Sequence, residues 1–382
     1  MNRVYLDSAA TTQMRQEVID RMTQVMQMEY GNPSSTHSYG RSSKSIIETA
    51  RKNIAKILNV TPAEIIFTSG GTEADNMILH GCVRDLGVKR IITSPLEHHA
   101  ILHKVEELQE CFNTEIVYLD VDKTGTVDYN QLEQLLKENG KKTLVSLMHV
   151  NNEIGTLLDI ERVAEMCQEN KALFHSDTVQ SIGHYEMDLG KIPLDFASVA
   201  AHKFHGPKGV GFAFVRKNSG LHALIFGGAQ ERGLRAGTES VHNIAGLDTA
   251  FLLAYQHLDK EKAYIASLKN YFIEQIKAHI PQAKFNGCCD DATKSTYNLI
   301  NILLPISEQK SLMLLFQLDL KGIACSKGSA CQSGSTKGSH VLAAILKEED
   351  INKPSLRFSF SSFNTKEEID YVIKTLAEFV NS

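Results

Sequence analysis

The sequence predicts an α/β protein with a large, doubly wound domain, built on a mainly parallel seven-stranded sheet, and a smaller α+β domain. Apolar runs alternate with amphipathic stretches for most of the chain, which is the pattern of parallel strands joined by helices. A long helical stretch without strands follows, and then the pattern changes. The chain has 382 residues, of which 42% are hydrophobic and 22% charged, the balance of a globular protein with about two domains.

The first part of the chain carries the predicted large sheet. Short apolar runs predict strands at residues 64–68, 90–93, 115–119, 143–149, 173–176, 196–200 and 209–215. Amphipathic periodicity predicts helices that include residues 42–58, 72–86, 100–111, 130–138 and 160–170. These elements alternate along the chain, as strands and helices do in a doubly wound sheet.

The second part of the chain has a different organisation. Residues 241–279 read as helical throughout. Strands are then predicted at 296–303, 322–324 and 356–361, with helices near 308–319, 338–347 and 365–380. We therefore expect a large domain over residues 13–255 and a small domain formed by 1–12 and 256–382. Their junction is a natural place for a ligand.

Charge and cysteine content limit the functions that the chain can have. The formal net charge of −5 gives no footprint for nucleic acid or an anionic membrane surface. The amino terminus lacks a signal-like apolar stretch, and no window approaches the roughly 20 apolar residues of a membrane span, so we expect a cytoplasmic protein. Seven cysteines, an odd number without paired C-x-x-C motifs, favour free thiols over disulfides or a structural zinc site.

Lys203 follows the predicted buried strand at 196–200 and precedes a glycine-rich turn. A desolvated lysine amine is a good nucleophile toward a carbonyl group, and pyridoxal 5'-phosphate (PLP) is the common partner of that kind. An isolated lysine is more often a surface residue whose amine reaches water. The assignment of Lys203 therefore depends on its neighbours.

Other polar residues follow predicted strands, at the sheet edge where open parallel sheets bind ligands. Gly70 and Gly71 open directly into a helix, which suits a phosphate because the first backbone N–H groups of a helix are unpaired. Asp177 follows the strand at 173–176 and would pair with a protonated pyridine nitrogen, or simply cap a turn. Gln180 could donate to a ring oxygen from the same turn.

His98 follows the strand at 90–93 and can stack on an aromatic cofactor or relay protons near neutral pH. Metal binding by His99 and His103, four residues apart in a helix, is an alternative. The sequence shows no nearby third ligand with matching spacing, so we expect no metal site.

Three further residues suggest a substrate and a reactive group. Asn152 closes the strand at 143–149 and could hydrogen-bond a ligand or simply form a turn, and Arg357 lies within an apolar strand. An inward arginine there would bind a carboxylate, whereas an outward one would be an ordinary exposed residue. Cys331 lies in a run of small residues and glycines, which predicts a mobile loop carrying a thiol with little apolar cover.

These motifs together resemble the cysteine desulfurases, which are PLP enzymes of the class V aminotransferase group with fold type I. The similarity extends from Tyr5-Leu6-Asp7 to Leu356-Arg357-Phe358-Ser359, nearly the whole chain. Its most specific motifs are Thr68-Ser69-Gly70-Gly71-Thr72-Glu73-Ala74-Asp75-Asn76, Met148-His149-Val150-Asn151-Asn152-Glu153-Ile154-Gly155, His202-Lys203, Gln230-Glu231-Arg232-Gly233-Leu234-Arg235-Ala236-Gly237-Thr238 and Gly328-Ser329-Ala330-Cys331. The last motif is similar to the long-loop group that serves iron–sulfur cluster assembly and tRNA thiolation.

The resemblance implies a role for each matching cofactor residue. Lys203 would hold PLP and move the substrate α-proton, Asp177 would pair with the pyridine nitrogen, and His98 would stack on the ring. Gln180 would contact the ring oxygen. The phosphate would be held by Gly71, Thr72 and His202, with Thr238 reaching the site of the partner subunit in a homodimer.

The resemblance also implies the substrate and the product. Asn152, beside the cofactor, and Arg357 would bind the carboxylate of L-cysteine, and Cys331 would take its sulfur as a persulfide while alanine leaves. A sulfur-acceptor or iron–sulfur scaffold protein would be the partner. Ala200 departs from the family pattern because relatives usually have a phosphate-binding serine there. This departure makes a catalytically weak sulfur-delivery scaffold one alternative. A selenocysteine lyase or another class V enzyme is a second alternative, because these share the fold and the cofactor.

Overall fold

The computed structural model describes residues 3–138, 140–327, 338–351 and 353–381. In chain order the strands are β1 (Val4–Tyr5), β2 (Ile65–Thr68), β3 (Arg90–Thr93), β4 (Glu115–Tyr118), β5 (Thr143–Ser146), β6 (Leu173–Asp177), β7 (Phe196–Ala200), β8 (Gly211–Val215), β9 (Lys284–Phe285), β10 (Leu299–Leu303), β11 (Ile323–Ala324) and β12 (Ser355–Ser359). The helices are α1 (Gln16–Met28), α2 (Ser38–Ile57), α3 (Gly71–Arg84), α4 (His99–Phe112), α5 (Tyr129–Lys137), α6 (Ile160–Glu169), α7 (Val241–Gln256), α8 (Leu258–His279), α9 (Glu308–Leu320), α10 (His340–Ile345), α11 (Glu348–Ile351) and α12 (Lys366–Asn381).

The large sheet has seven strands in the order β2-β8-β7-β6-β5-β3-β4. β8 is antiparallel to both of its neighbours, and the other neighbouring pairs are parallel. The predicted seven-stranded, mainly parallel sheet is therefore confirmed. Because the parallel strands all run in one direction, their carboxyl ends meet at one edge of the sheet, and the loops that follow them lie together there.

The carboxyl-terminal part of the chain forms a separate three-stranded antiparallel sheet, in which β10 lies between β12 and β9. β1 pairs with β11, so the amino terminus joins this part of the molecule. Its hydrophobic cluster includes Phe272 and Phe358, whose ring centroids are 4.9 Å apart. Phe251 of α7 belongs instead to the cluster beneath the large sheet. The predicted division at residues 12/13 and 255/256 stays a prediction.

Several element boundaries differ from the predicted ones. α2 begins at Ser38 rather than residue 42, because the His37 imidazole caps the helix by accepting from Gly40 N at 3.2 Å. The predicted strand at 143–149 ends at Ser146. The stretch 241–279 is two helices, which meet at His257. Among the helices of the described residues, none has the length and apolar character needed to cross a bilayer.

Candidate active site

A pocket lies at the carboxyl ends of the large sheet's strands, bordered by the amino-terminal segment and β12. Its empty volume is about 780 Å³, including open solvent at its mouth. Nine of the eleven residues predicted to act in catalysis or binding line it: Gly71, Thr72, His98, Asn152, Asp177, Gln180, His202, Lys203 and Arg357. Residues separated by up to 286 positions, from Gly71 to Arg357, thus meet in one cavity.

Lys203 reaches the pocket from a short 3₁₀ turn, Ala201–Lys203, directly after β7. Its Nζ donates to the carbonyl oxygens of Ala9 and Ala10, at 2.6 and 2.9 Å. Its own carbonyl accepts from His184 Nε2 at 2.9 Å. The amine therefore has a fixed place in the wall, and the carbonyl groups of the amino-terminal segment are neighbours that the sequence did not indicate.

Asp177 ends β6 and is buried, with one carboxylate oxygen accepting from Val179 N at 2.9 Å. Burial, with a contribution from the nearby Asp75 carboxylate, raises the pKa of Asp177 to about 7. A buried carboxylate is costly to ionise unless a cation faces it. A protonated pyridine nitrogen is such a cation, and its ion pair with Asp177 would keep the ring a good electron acceptor.

A second buried carboxyl group of the pocket, Asp75, was assigned no role from the sequence. Asp75, on α3, is 1% exposed and lines the pocket, and burial raises its pKa to about 7. Asp75 Oδ1 lies 3.5 Å from His175 Nε2. Burial lowers the pKa of His175 to about 4, so its imidazole is neutral and bonded to Ser146 and Ser198. The position of Asp75, one helical turn after Gly71, was the only signal in the sequence.

The beginning of α3 forms a cradle suited to a phosphate. Gly71 is its first residue, and a Cβ placed there would lie 2.6 Å from Val179 Cγ2, so a side chain would fill this corner. Unpaired backbone N–H groups and the positive end of the helix dipole occur at such a position. Thr72 and His202 line the same pocket, as does Ala200, which brings no hydroxyl group.

His98 is the N-cap residue of α4, and its Nδ1 accepts from Ala100 N at 3.1 Å. Burial, together with the charge of Lys203, lowers the pKa of His98 to about 4. The imidazole is therefore neutral at physiological pH, and with Nδ1 accepting, the proton is assigned to Nε2. A neutral, flat ring at the pocket wall suits stacking on an aromatic cofactor.

The region beside His98 corrects one argument made from the sequence. A third histidine does lie close by, since the rings of His99 and His340 have centroids 4.5 Å apart and those of His99 and His103 are 4.9 Å apart. The sequence could not show this because His340 is far along the chain. Within the described ranges, however, no group of three histidine, cysteine, aspartate or glutamate side chains is arranged to hold a metal ion.

Arg357 points inward from β12, which settles the orientation that its sequence position left open. It is 1% exposed and lines the pocket. Its Nη1 donates to the carbonyl oxygen of Asn152, and its Nη2 forms an ion pair with Asp7, each at 2.8 Å. A buried guanidinium facing a cavity is well suited to bind a carboxylate.

One predicted binding residue, Thr238, does not line this pocket. Thr238 is exposed and lines a separate surface depression with Glu231 and Arg235. Its predicted role in a partner's site therefore stays a prediction. Cys331 lies outside the described residues. The neighbouring Cys325 is described, and burial raises the pKa of its thiol to about 12.

The side chains present fit PLP. The glycine cradle at Gly71 suits its phosphate, Asp177 its ring nitrogen, His98 its ring face and Lys203 its aldehyde. Three other pockets of the described residues do not combine these four groups. The donor set therefore agrees with the cofactor that the sequence predicts.

Comparison with known proteins shows the family to which the chain belongs. The class-V aminotransferase family model matches residues 4–372. The chain is 41% identical over 379 residues to the cysteine desulfurase IscS of Dictyoglomus turgidum, covering 99% of this chain and 94% of that protein. A solved NifS-like protein superposes with a TM-score of 0.91 at 34% identity, covering all of both chains. SspA, solved in complex with cysteine, gives a TM-score of 0.81 at 28% identity over 95% of this chain and all of that one. The chain belongs to the class-V aminotransferase family and, within it, to the cysteine desulfurases.

Proposed function

We propose that this protein is a PLP-dependent cysteine desulfurase that converts L-cysteine and the Cys331 thiol into L-alanine and a persulfide on Cys331. The observation that carries the proposal is the convergence of Lys203, Asp177 and Arg357 in one pocket. An amine for an aldehyde, a carboxylate for a pyridinium and a guanidinium for an amino-acid carboxylate are together what a PLP enzyme acting on an amino acid requires.

Different pocket residues would bind different parts of the cofactor. Asp177 would pair with the ring nitrogen, Gln180 would contact the ring oxygen and His98 would stack on the ring face. Gly71 and Thr72, at the start of α3, and His202 would hold the phosphate. When bound, PLP supplies an electron sink for the substrate's Cα.

The substrate is oriented and deprotonated by neighbouring side chains. Arg357 and Asn152 bind the carboxylate, which places the α-proton within reach of the Lys203 amine. His98, whose Nδ1 accepts from Ala100 N, is neutral with its proton assigned to Nε2, so it can exchange protons with groups in the pocket. Lys203 and His98 together supply the proton transfers that the conversion of L-cysteine to L-alanine requires.

Cys331 provides the reaction with its sulfur acceptor. Its thiolate attacks the substrate sulfur, so an S–S bond forms as the Cβ–S bond breaks, and the electron pair of the broken bond ends in the new C–H bond of alanine. The two sulfur atoms are together oxidised by two electrons and Cβ is reduced by two, so no external oxidant is needed. The proton that the Cys331 thiol loses on ionisation balances the one that Cβ gains. The persulfide sulfur then passes to an acceptor protein, for iron–sulfur cluster assembly or tRNA thiolation.

We also propose that the enzyme works as a homodimer. Large apolar side chains are exposed on the single chain, with Tyr30 at 74% and Phe226 at 80%, and Met28 and Tyr39 are exposed as well. The rings of Tyr30 and Tyr39 lie together, with centroids 5.3 Å apart, and exposed apolar groups that lie together typically mark surfaces that a partner covers. The exposed Thr238 would then be delivered to the neighbouring subunit's phosphate.

The cysteine that accepts sulfur provides the sharpest test. We expect Cys331→Ala to bind L-cysteine but to form no persulfide and to release almost no alanine. Cys325→Ala is the matched control, since Cys325 lies six positions away and its raised pKa makes it a poor nucleophile at neutral pH. Alanine release and persulfide would be measured by mass spectrometry, with L-cysteine and L-selenocysteine in parallel.

Three outcomes of this experiment would count against the proposal. Undiminished alanine release by Cys331→Ala would remove Cys331 from the acceptor role. A strong preference for selenocysteine would favour the lyase alternative. Absence of alanine from the wild-type protein, despite bound PLP, would leave the sulfur-delivery scaffold suggested by Ala200.

A further inference from the structure

Asp7 joins three segments of the chain beside the pocket. Its carboxylate oxygen Oδ1 accepts from Arg357 Nη2 and from Ser326 Oγ, each at 2.8 Å. Its backbone forms an isolated parallel bridge with Ser359, at the end of β12. We propose that Asp7 is a positioning residue, which holds the Arg357 guanidinium in the orientation that receives the substrate's carboxylate. This inference rests on the proposed function, because it needs an amino-acid substrate.

The guanidinium of Arg357 still has a donor to offer a ligand. Its Nη1 and Nη2 groups bond to Asn152 and Asp7, but its buried Nε has no hydrogen-bond partner among the described residues. A buried N–H group without an acceptor is costly. An arriving carboxylate would satisfy it with a charge-assisted hydrogen bond. The bonding of this guanidinium is therefore incomplete at the side of the pocket that Arg357 lines.

Two acceptors on different segments fix this orientation. The side chain of Arg357 is 1% exposed and that of Asp7 is 17% exposed, so the pair is largely shielded from water. A planar guanidinium held at two nitrogens can neither shift nor rotate in its plane. If Asp7 were removed, only the hydrogen bond to the Asn152 carbonyl would remain. The guanidinium could then rotate about that bond, and the direction of its Nε–H group would no longer be fixed.

The charge of Asp7 determines how this role can be recognised. Asp7 is negative and would repel a second carboxylate, so it cannot assist binding by attraction. If its charge were its main contribution, removing Asp7 would tighten the binding of a carboxylate. If its contribution is orientation, removing Asp7 weakens that binding. The sign of the effect separates the two possibilities.

The test compares two ligands that differ by the carboxylate. L-Alanine and ethylamine would be titrated calorimetrically into the holoenzyme. We expect Asp7→Ala to raise the dissociation constant of L-alanine about tenfold or more, as loss of a charge-assisted hydrogen bond does, and to leave that of ethylamine unchanged. Asp7→Asn keeps an acceptor oxygen and should stay within about threefold of the wild type. Ser326→Ala, the control, removes the other donor to Asp7 and should leave the ratio of the two constants unchanged.

The possible outcomes are distinct. Tighter L-alanine binding by Asp7→Ala, or an equal change for both ligands, would overturn the inference. The inference would also fail if the wild type prefers L-alanine and Asp7→Ala has the same ratio of the two dissociation constants. That result would leave the proposed function intact. If the wild-type holoenzyme shows no preference, the carboxylate role of Arg357 fails, and the proposed function with it. Should Asp7→Ala not fold, Asp7→Ser, whose hydroxyl is too short to reach, takes its place with the same expected result.

Discussion

Asp177 has its carboxylate where water solvates it poorly, and this has opposite consequences for stability and for cofactor binding. In the folded protein its pKa is raised from 3.8 to about 7, so the folded chain holds this proton more tightly than the unfolded chain. The protonated carboxyl of Asp177 therefore makes its full contribution to the apoprotein's free energy of unfolding below about pH 4. This contribution is lost as the pH rises through about 7. A bound pyridinium would compensate the charge.

Replacing Asp177 by asparagine should change apoprotein stability and PLP affinity in opposite directions. The amide stays neutral and can still accept from Val179 N, so we expect the Asp177→Asn apoprotein to be more stable than the wild type at pH 8, by on the order of 2 kcal/mol. The gain should shrink at pH 5, and PLP affinity should fall. Urea unfolding at both pH values, with PLP titration, measures these effects.

A matched control separates the effect of a carboxyl that lines the pocket from the effect of burial alone. Asp195 is another carboxyl whose pKa is raised by burial, and it accepts from Phe174 N at 2.8 Å, but it does not line the pocket. Asp195→Asn should leave PLP affinity unchanged. A stability difference in Asp177→Asn that does not depend on pH would contradict the assignment of its pKa.

The sequence identified side chains better than it identified their surroundings. Lys203 and Asp177 could be selected because each follows an apolar strand, and strand ends gather at one edge of a parallel sheet. The orientation of Arg357 stayed open because alternation within a short strand does not say which face is inward. The contact of Asp7 with Arg357 could not be derived from the pattern either, since it joins positions 350 residues apart.

At the scale of the elements, the end of β7 and the start of α3 together form the phosphate cradle. Ala200 Cβ lies 3.8 Å from where a Cβ on Gly71 would be, so a hydroxyl at position 200 would enter the cradle. We expect Ala200→Ser to lower the dissociation constant of PLP about fivefold, the effect of one added hydrogen bond of about 1 kcal/mol. Fluorescence titration of the apoprotein with PLP measures this.

The next residue along the chain serves as the control for this substitution. Ala201 is equally buried but belongs to the hydrophobic cluster beneath the sheet. Ala201→Ser should reduce stability and leave PLP affinity unchanged. Equal effects of the two substitutions would show that the hydroxyl at position 200 does not reach the phosphate.

Element boundaries were harder to predict than element types, for local physical reasons. The segment after Ser146 is as apolar as the strand before it, yet it turns away, and Met148 and Val150 line the pocket. α1 was not predicted, although Val18, Met22 and Val25 have helical spacing. Arg15, which precedes the helix, provides no side-chain cap, so the usual signal for a helix start is absent there.

On the scale of the whole molecule, the fold class could be predicted and the spatial relations could not. The order β2-β8-β7-β6-β5-β3-β4 does not follow the order of the strands along the chain, and no local pattern specifies it. The contribution of β12 to a pocket built mostly by the large sheet is likewise a tertiary effect. The resemblance of the whole chain to a family supplied what periodicity lacked.

The proposed dimer leads to a prediction that a single chain cannot test. If Thr238 binds the phosphate in the partner's pocket, Thr238→Ala should weaken PLP binding about tenfold, as loss of a hydrogen bond to a charged group does, while Lys203→Ala should abolish turnover. Consider a hybrid dimer with one Lys203→Ala chain and one Thr238→Ala chain. Both substitutions then affect the pocket of the Lys203→Ala chain, and the pocket of the other chain is wild type. At limiting PLP we expect this doubly tagged, purified hybrid to release alanine at about half the rate of the wild-type dimer. If Thr238 serves its own chain, the hybrid retains no intact pocket, and its rate would be no more than half that of the Thr238→Ala dimer.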